Sequence, residues 1–343
     1  MTNNRGDCDI AMGKPDKSAP RVRELAVLDY PGAQQAAVLG LIDLLRFAAH
    51  EAGLRGVACG LVISHWHANP DGRPARTSGD AQDTRFPDAL ILPPALGELP
   101  APGSRPDLCA WLVAAYGAGT VMASACAGAF LLAEAGLLDQ RPATTHWAYD
   151  AVFRARFPGV ALDTDRLLID DGDIITAGGI MAWTDLGLRL VDRLLGLDVM
   201  LATARAFLID PPGREQAQYR VFQPRFDHGD LAVLKAQRWL QDRAARSLAL
   251  GEIAEASGLE GRTLQRRFRA ATGMTPQAYH QNLRIAQAQD LLATTGLSTD
   301  TIAWNTGYAD AASFRKTFAR LTGMTPASYR KRIQRHGAAT ARD

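Results

Sequence analysis

Between residues 22 and about 200, hydrophobic positions cluster in short continuous runs separated by stretches with helical spacing. The runs predict buried strands over 25–28, 57–64, 89–92, 120–125 and 174–176. A strand covered on both faces reads as near-continuous apolar sequence rather than as strict alternation. The intervening stretches 34–49, 107–115, 127–135 and 181–195 have the length and apolar spacing of helices. Strands alternating with helices imply a parallel sheet sandwiched between helical layers. A polar segment rich in proline and glycine, beginning at Asp210-Pro211-Pro212-Gly213 and ending near Gly229, suits a linker. From Leu231 onward the pattern is helical only, with helices expected over 231–244, 249–256, 260–271, 276–293, 298–305, 309–321 and 326–333.

That helical part repeats itself. Thr272-Gly273-Met274-Thr275-Pro276 recurs unchanged as Thr322-Gly323-Met324-Thr325-Pro326. Upstream of the first copy stand Ile253-Ala254, Gly258, Leu264 and Phe268, and Tyr279 follows it. Upstream of the second stand Ile302-Ala303, Gly307, Phe314 and Phe318, and Tyr329 follows it. Apolar residues four apart share a helix face, and a glycine five after the isoleucine suits a helix C-cap. Each copy therefore reads as helix, sharp turn, helix, a layout whose second helix can enter a DNA major groove. The helix over 276–293, opened by Pro276, would hold both units at a fixed separation.

Charge sharpens the division. Residues 230–343 carry 17 Lys+Arg against 9 Asp+Glu, whereas residues 1–229 carry 21 against 27. A basic segment joined to an acidic one points to a polyanionic partner for the C-terminal part alone. A length of 343 residues suggests two domains. Cys8, Cys59, Cys109 and Cys126 lack metal-ligand spacing and disulfide density, which fits a reducing cytoplasm; no metal and no cofactor is expected. Residues 1–20 and 336–343 read as tails, the first as disordered and without a signal-peptide core, and no apolar run is long enough for a membrane span.

The segment with the most chemistry is Thr120-Val121-Met122-Ala123-Ser124-Ala125-Cys126-Ala127-Gly128-Ala129-Phe130. An apolar strand meets a cysteine and passes directly into a helix. Small neighbours permit the strained strand-to-helix turn known as a nucleophile elbow. The helix N-terminus would favour a thiolate at Cys126. Ala143-Thr144-Thr145-His146-Trp147 supplies a histidine within possible reach.

Residues 231–333 resemble the DNA-binding domain of the AraC/XylS family, on the strength of Ala256-Ser257-Gly258-Leu259, the run from Arg262 to Phe268, Thr306-Gly307-Tyr308, Ser313-Phe314-Arg315-Lys316 and the duplicated Gly-Met-Thr-Pro. The run from Ala129 to Asp139, followed by Ala143-Thr144-Thr145-His146-Trp147, resembles the PfpI-like branch of the class I glutamine amidotransferase superfamily, in the version fused to an AraC-type domain in GlxA-type regulators. The resemblance implies an α/β parallel-sheet sandwich over 21–205 serving as a sensor and dimerisation module, a linker over 206–229, and an all-α domain with two helix-turn-helix motifs over 230–335. It implies a cytoplasmic transcription regulator and a homodimer whose partners are double-stranded promoter DNA and a small effector, with an amine, an amino acid or a betaine among the candidates.

Two departures from the enzymatic members weigh against turnover. Ala37 stands where relatives carry an acid, with Asp43 too far along the helix to replace it. Pro94, in Leu92-Pro93-Pro94-Ala95, offers no N–H to an oxyanion. Loss of one such donor can cost about 100- to 1000-fold in rate. The elbow then reads as a vestige, with Cys126, His146, Trp147 and Ala95 lining a ligand pocket near the Gly178-Gly179 turn. Core packing is the alternative for Cys126, Trp147 and Trp183, and a cysteine-dependent hydrolase or hydratase is the competing function. For DNA, Arg262, Gln265, Arg266 and Arg269 fall away from the Leu264/Phe268 stripe, and Ala311, Arg315 and Lys316 from Phe314/Phe318. Arginine can bond guanine and glutamine adenine in the major groove, or either can contact phosphate. With arginines at 262, 266, 267 and 269, the first unit is expected to dominate base readout.

Overall fold

The computed structural model describes residues 22–57, 59–68, 73–78, 86–213, 215–219, 221–226, 228–246 and 248–334. The expected tails at 1–20 and 336–343, together with Cys8, lie outside the described residues. The chain forms two compact units, Met1–Gln216 and Ala217–Asp343. No helix among the described residues is long and apolar enough to cross a membrane.

In the first unit the elements are β1 (Val22–Asp29), α1 (Gln35–Leu54), β2 (Gly60–His67), β3 (Ala75–Ser78), β4 (Ala89–Leu92), α2 (Pro106–Gly117), β5 (Val121–Ala125), α3 (Gly128–Glu134), β6 (Pro142–Ala143), α4 (Asp150–Arg156), β7 (Ala161–Leu162), β8 (Leu168–Asp170), β9 (Ile174–Ala177), α5 (Trp183–Leu195) and α6 (Leu197–Ala206). The main sheet has the order β3-β2-β1-β4-β5-β9-β8. Its inner strands β2, β1, β4, β5 and β9 are mutually parallel, as the run-and-helix pattern predicts. Every residue of β4, β5 and β9 is buried, which is why these strands show no alternation. The edge strands β3 and β8 run antiparallel to their neighbours. They bring polar residues to the margins, where one face or one edge can meet water.

The order in which strands are added reverses between the parallel neighbours β1 and β4, since β2 lies on one side of that pair and β5 on the other. In open α/β sheets the crevice at the carboxyl ends of the strands flanking such a reversal is the usual ligand site. Here it is bounded by the segments after β1, β4 and β5.

The second unit contains α7 (Leu231–Asp242), α8 (Leu250–Ser257), α9 (Gly261–Thr272), α10 (Pro276–Thr294), α11 (Thr299–Asn305), α12 (Ala311–Thr322) and α13 (Pro326–Gln334). The repeated pentapeptide is helix punctuation. Gly273 and Gly323 end α9 and α12 in the left-handed conformation, at φ of 75° and 72°, where a side chain would be strained. Thr275 then accepts a hydrogen bond from the Ala278 N–H to start α10, with Pro276 in its first turn, and Thr325 accepts one from Ser328 to start α13.

Two separate cores result. One joins Val233, Leu240, Ile253, Leu264, Phe268 and Tyr279; the other joins Ile285, Leu292, Ile302, Tyr308, Phe314 and Phe318. Helix α10 contributes Tyr279 to the first and Ile285, Ala288 and Leu292 to the second. It is the shared rod of two lobes, about 28 Å long at 1.5 Å per residue.

Candidate functional site

The elbow is present. Cys126 follows β5 with φ of 53°, one of few non-glycine residues at positive φ among those described. Such strain persists only where the surroundings hold it. Here the Cys126 N–H donates to the Ala177 carbonyl at 2.7 Å, and its own carbonyl accepts from Thr145 Oγ1 at 2.7 Å. Gly128 lies so close to the end of β4 that a Cβ would stand 2.6 Å from the Leu92 carbonyl oxygen. Only glycine lets helix α3 start there.

The ionisation expected for Cys126 is reversed. Its side chain is fully buried, and burial pushes the thiol up to about 12, against a smaller lowering by the Ala127 N–H. Desolvation of the buried site outweighs the lowering that a helix N-terminus would give. Tyr30, also buried, donates from its hydroxyl to the Pro93 carbonyl at 2.5 Å. Burial, then the neighbouring Cys126 charge, raises its pKa, and the same causes raise that of Tyr149. His146 is held above its own backbone: its Nδ1 accepts from the Ala148 N–H at 3.1 Å, and burial lowers its pKa. The hydrogen bond described for this imidazole thus runs to Ala148, not to the thiol.

The other residues expected from the sequence around the elbow fall as follows. Ala95 is 6% exposed and sits in a bridge with Ala33, while the Gln34 N–H donates to the Pro94 carbonyl at 2.7 Å. The turn after β4 therefore turns carbonyls, at Pro93 and Pro94, towards the segment after β1. Trp147 is half-buried, its N–H donating to Gln216 Oε1 at 3.2 Å. Trp183 packs in the core against Gly40 of α1. Ala37 is fully buried and Asp43 exposed on α1, so neither provides an acid beside Cys126. Sequence reasoning missed Tyr30, Thr145 and Gln216. Tyr30 stands directly after an apolar strand, the one position where the pattern could have drawn notice.

In the second unit Leu264, Phe268, Phe314 and Phe318 are fully buried. Arg262, Gln265, Arg266 and Arg269 are exposed along α9. Arg267 is not available in the same way. It forms a two-pronged ion pair with Asp230, at 2.7 and 2.9 Å, and Asp230 also caps α7 by accepting from Val233. Hydrogen bonding to Arg267 holds the Asp230 carboxyl below its ordinary range. On α12 Lys316 is exposed, Ala311 is half-buried against the second core, and Arg315 pairs with Asp300 at 2.6 Å. That pair is half-exposed on both sides, so it is weak and can be exchanged for a phosphate.

Residues 73–193 match the model of the DJ-1/PfpI family and residues 253–332 that of a helix-turn-helix domain. The chain joins a DJ-1/PfpI-family domain to an AraC-type helix-turn-helix domain. It is 32% identical over 206 residues to the HTH-type transcriptional regulator GlxA of Rhizobium meliloti, covering 60% of this chain and 63% of that protein. It is 27% identical over 214 residues to the regulator GbdR of Pseudomonas aeruginosa, covering 62% and 58% respectively. With the regulator CdhR of the same organism it shares 26% identity over 278 residues, 78% of this chain and 82% of that protein. The chain thus spans about six-tenths of the length of the first two relatives.

For the AraC-type domain, Arg266→Ala is expected to relax selectivity at a single operator base pair, by about 1–3 kcal/mol. Competition binding against single-base operator variants measures this. A uniform loss on all sequences with a shallower salt dependence would make Arg266 a phosphate contact instead.

Proposed function

We infer that the protein is a cytoplasmic transcription regulator of the AraC/XylS type. Its DJ-1/PfpI-family domain binds a small metabolite, within a homodimer, and its helix-turn-helix domain reads promoter DNA. The observation that carries this reading is the pair of separately cored helix-turn-helix lobes on one rod, each with cationic side chains outside and its aromatic stripe fully buried. The elbow supports sensing over turnover: burial favours the neutral thiol, and the His146 Nδ1 accepts from the Ala148 N–H. Arg262, Gln265, Arg266 and Arg269 are the readers on α9, with Ala311, Arg315 and Lys316 on α12; Cys126, His146, Trp147 and Ala95 line the effector pocket. The ligand acts as a population shift, binding unequally to arrangements that differ in DNA competence.

The test is selection of an operator from random duplexes, then measurement of affinity for it and for scrambled DNA at matched salt. Selective affinity of about a thousandfold or more is expected. Equal affinity for both would leave only a nonspecific binder. The strained φ at Cys126 is the one feature that also suits a cysteine hydrolase. Substrate turnover by the full chain, abolished by Cys126→Ala, would establish that reading in place of the sensor.

A further inference from the structure

Where the chain passes from one unit to the other, it is fastened twice within four residues. Gln216, the last residue of the first unit, is 2% exposed. Its Nε2, with two hydrogens to donate, lies within hydrogen-bond distance of Thr145 O at 2.8 Å, Arg166 O at 3.0 Å and Thr144 Oγ1 at 3.1 Å. Its Oε1 accepts from the Trp147 N–H, and its own N–H donates to Asp165 O at 2.9 Å. The amide lies over Gly178, where a Cβ would stand 1.8 Å from Nε2. Glu215, one residue earlier, accepts from the Leu167 N–H and pairs with Arg166.

A single 3-10 turn, Gln216–Tyr219, follows. Inside the second unit, Arg332 of α13 lies 3.9 Å from the Tyr219 ring centroid, and Phe222 packs edge-on against Tyr279 of α10 at 5.0 Å. The three-residue step from Gln216 to Tyr219 covers only about 6 Å at 3-10 rise.

Two partners of Gln216, Thr145 and Trp147, lie on the segment that borders the elbow. Thr145 holds the Cys126 carbonyl through its hydroxyl, and His146 and Trp147 come next along the chain. We propose that Gln216 is the coupling residue between the effector pocket and the connector, so that occupation of the His146–Trp147 wall and engagement of DNA each bias the same buried amide. The proposal rests on the sensor reading given above. Its physical basis is that the carbonyls of Thr145 and Arg166 lose their Gln216 donor if the amide departs, so the latch favours discrete positions over gradual sliding. Because coupling between two sites is reciprocal, DNA binding must alter the pocket wall as much as a ligand there alters DNA affinity.

Reciprocity allows a test with DNA as the only probe. Peptide-resolved hydrogen exchange is measured on the full chain, with and without a duplex that the chain itself selects from random-sequence DNA. In the wild-type protein, exchange across 144–148 is expected to change at least tenfold on DNA binding. In Gln216→Ala the change should fall below twofold while DNA affinity stays within about threefold. Gln216→Glu keeps the acceptor for Trp147 but loses the N–H donors to Thr145, Arg166 and Thr144, and it should uncouple as fully if the alanine variant folds poorly. Glu215→Ala, which spares the amide, should retain the wild-type response. An unchanged 144–148 segment in the DNA-bound wild-type protein overturns the latch, as does an undiminished response in both Gln216 variants. Failure to select any duplex would overturn the regulator reading itself, and the latch with it.

Discussion

Phe314→Ala is expected to remove about 3–5 kcal/mol from the stability of the second helix-turn-helix lobe and to abolish operator binding with it. The ring is fully buried, with Tyr308 and Phe318 at centroid distances of 5.3 and 5.6 Å. Its core is small, drawn from α10, α11, α12 and α13 with Tyr308, so few side chains can close the cavity. Against a typical domain stability of about 5–15 kcal/mol, the loss is a large fraction of the whole. Since the first lobe has its own core around Leu264 and Phe268, amide protection in α7, α8 and α9 should persist while that in α11 and α12 collapses. Phe268→Ala should give the mirror result. Trp304, 62% exposed on α11, provides a size-matched control whose replacement by alanine should change stability by no more than about 0.5 kcal/mol. Equal loss of protection in both lobes after Phe314→Ala would show one cooperative unit and refute the two-core description.

The lobes were legible in the sequence because what defines them is local. A helix stop at Gly273, a cap at Thr275 and a proline at Pro276 act within a few residues of one another. Buried strands β4 and β5 were equally visible, being apolar on both faces. Edge strands β3 and β8 were not: they are three or four residues long, paired antiparallel, and partly exposed. Helix α4 was missed because it is seven residues long with only Phe153 buried. At the site, the elbow could be read from the small residues around Cys126. Its ionisation could not, since burial is set by elements distant in sequence. The same holds for Arg267, counted with the groove-facing arginines until its pairing with Asp230, 37 residues away, is seen. Gln216 meets its partners across 50 to 72 residues, and no local period announces it.

Alkylation of Cys126 by iodoacetamide at pH 8 is expected to be about a thousandfold slower than that of a thiol with an ordinary value near 8.5. The folded value of about 12 leaves only a minute thiolate fraction at that pH. Below it, the rate should climb about tenfold for each pH unit. Peptide mapping separates Cys126 from the half-exposed Cys59 and Cys109. Lack of access also slows alkylation, and the pH profile distinguishes the two causes. Access alone would lower the plateau but leave the midpoint near 8.5, whereas desolvation moves the midpoint itself upward. The same shift has a stability consequence of definite sign. A folded pKa raised above the unfolded one contributes stability that is complete below about 8.5 and is lost as pH rises towards 12, at up to about 1.4 kcal/mol per unit. Cys126→Ala should therefore flatten the alkaline limb of the pH–stability curve of the first unit. A midpoint below 7 in the alkylation profile would instead reveal an activated thiolate, and the elbow would have to be regarded as a working nucleophile.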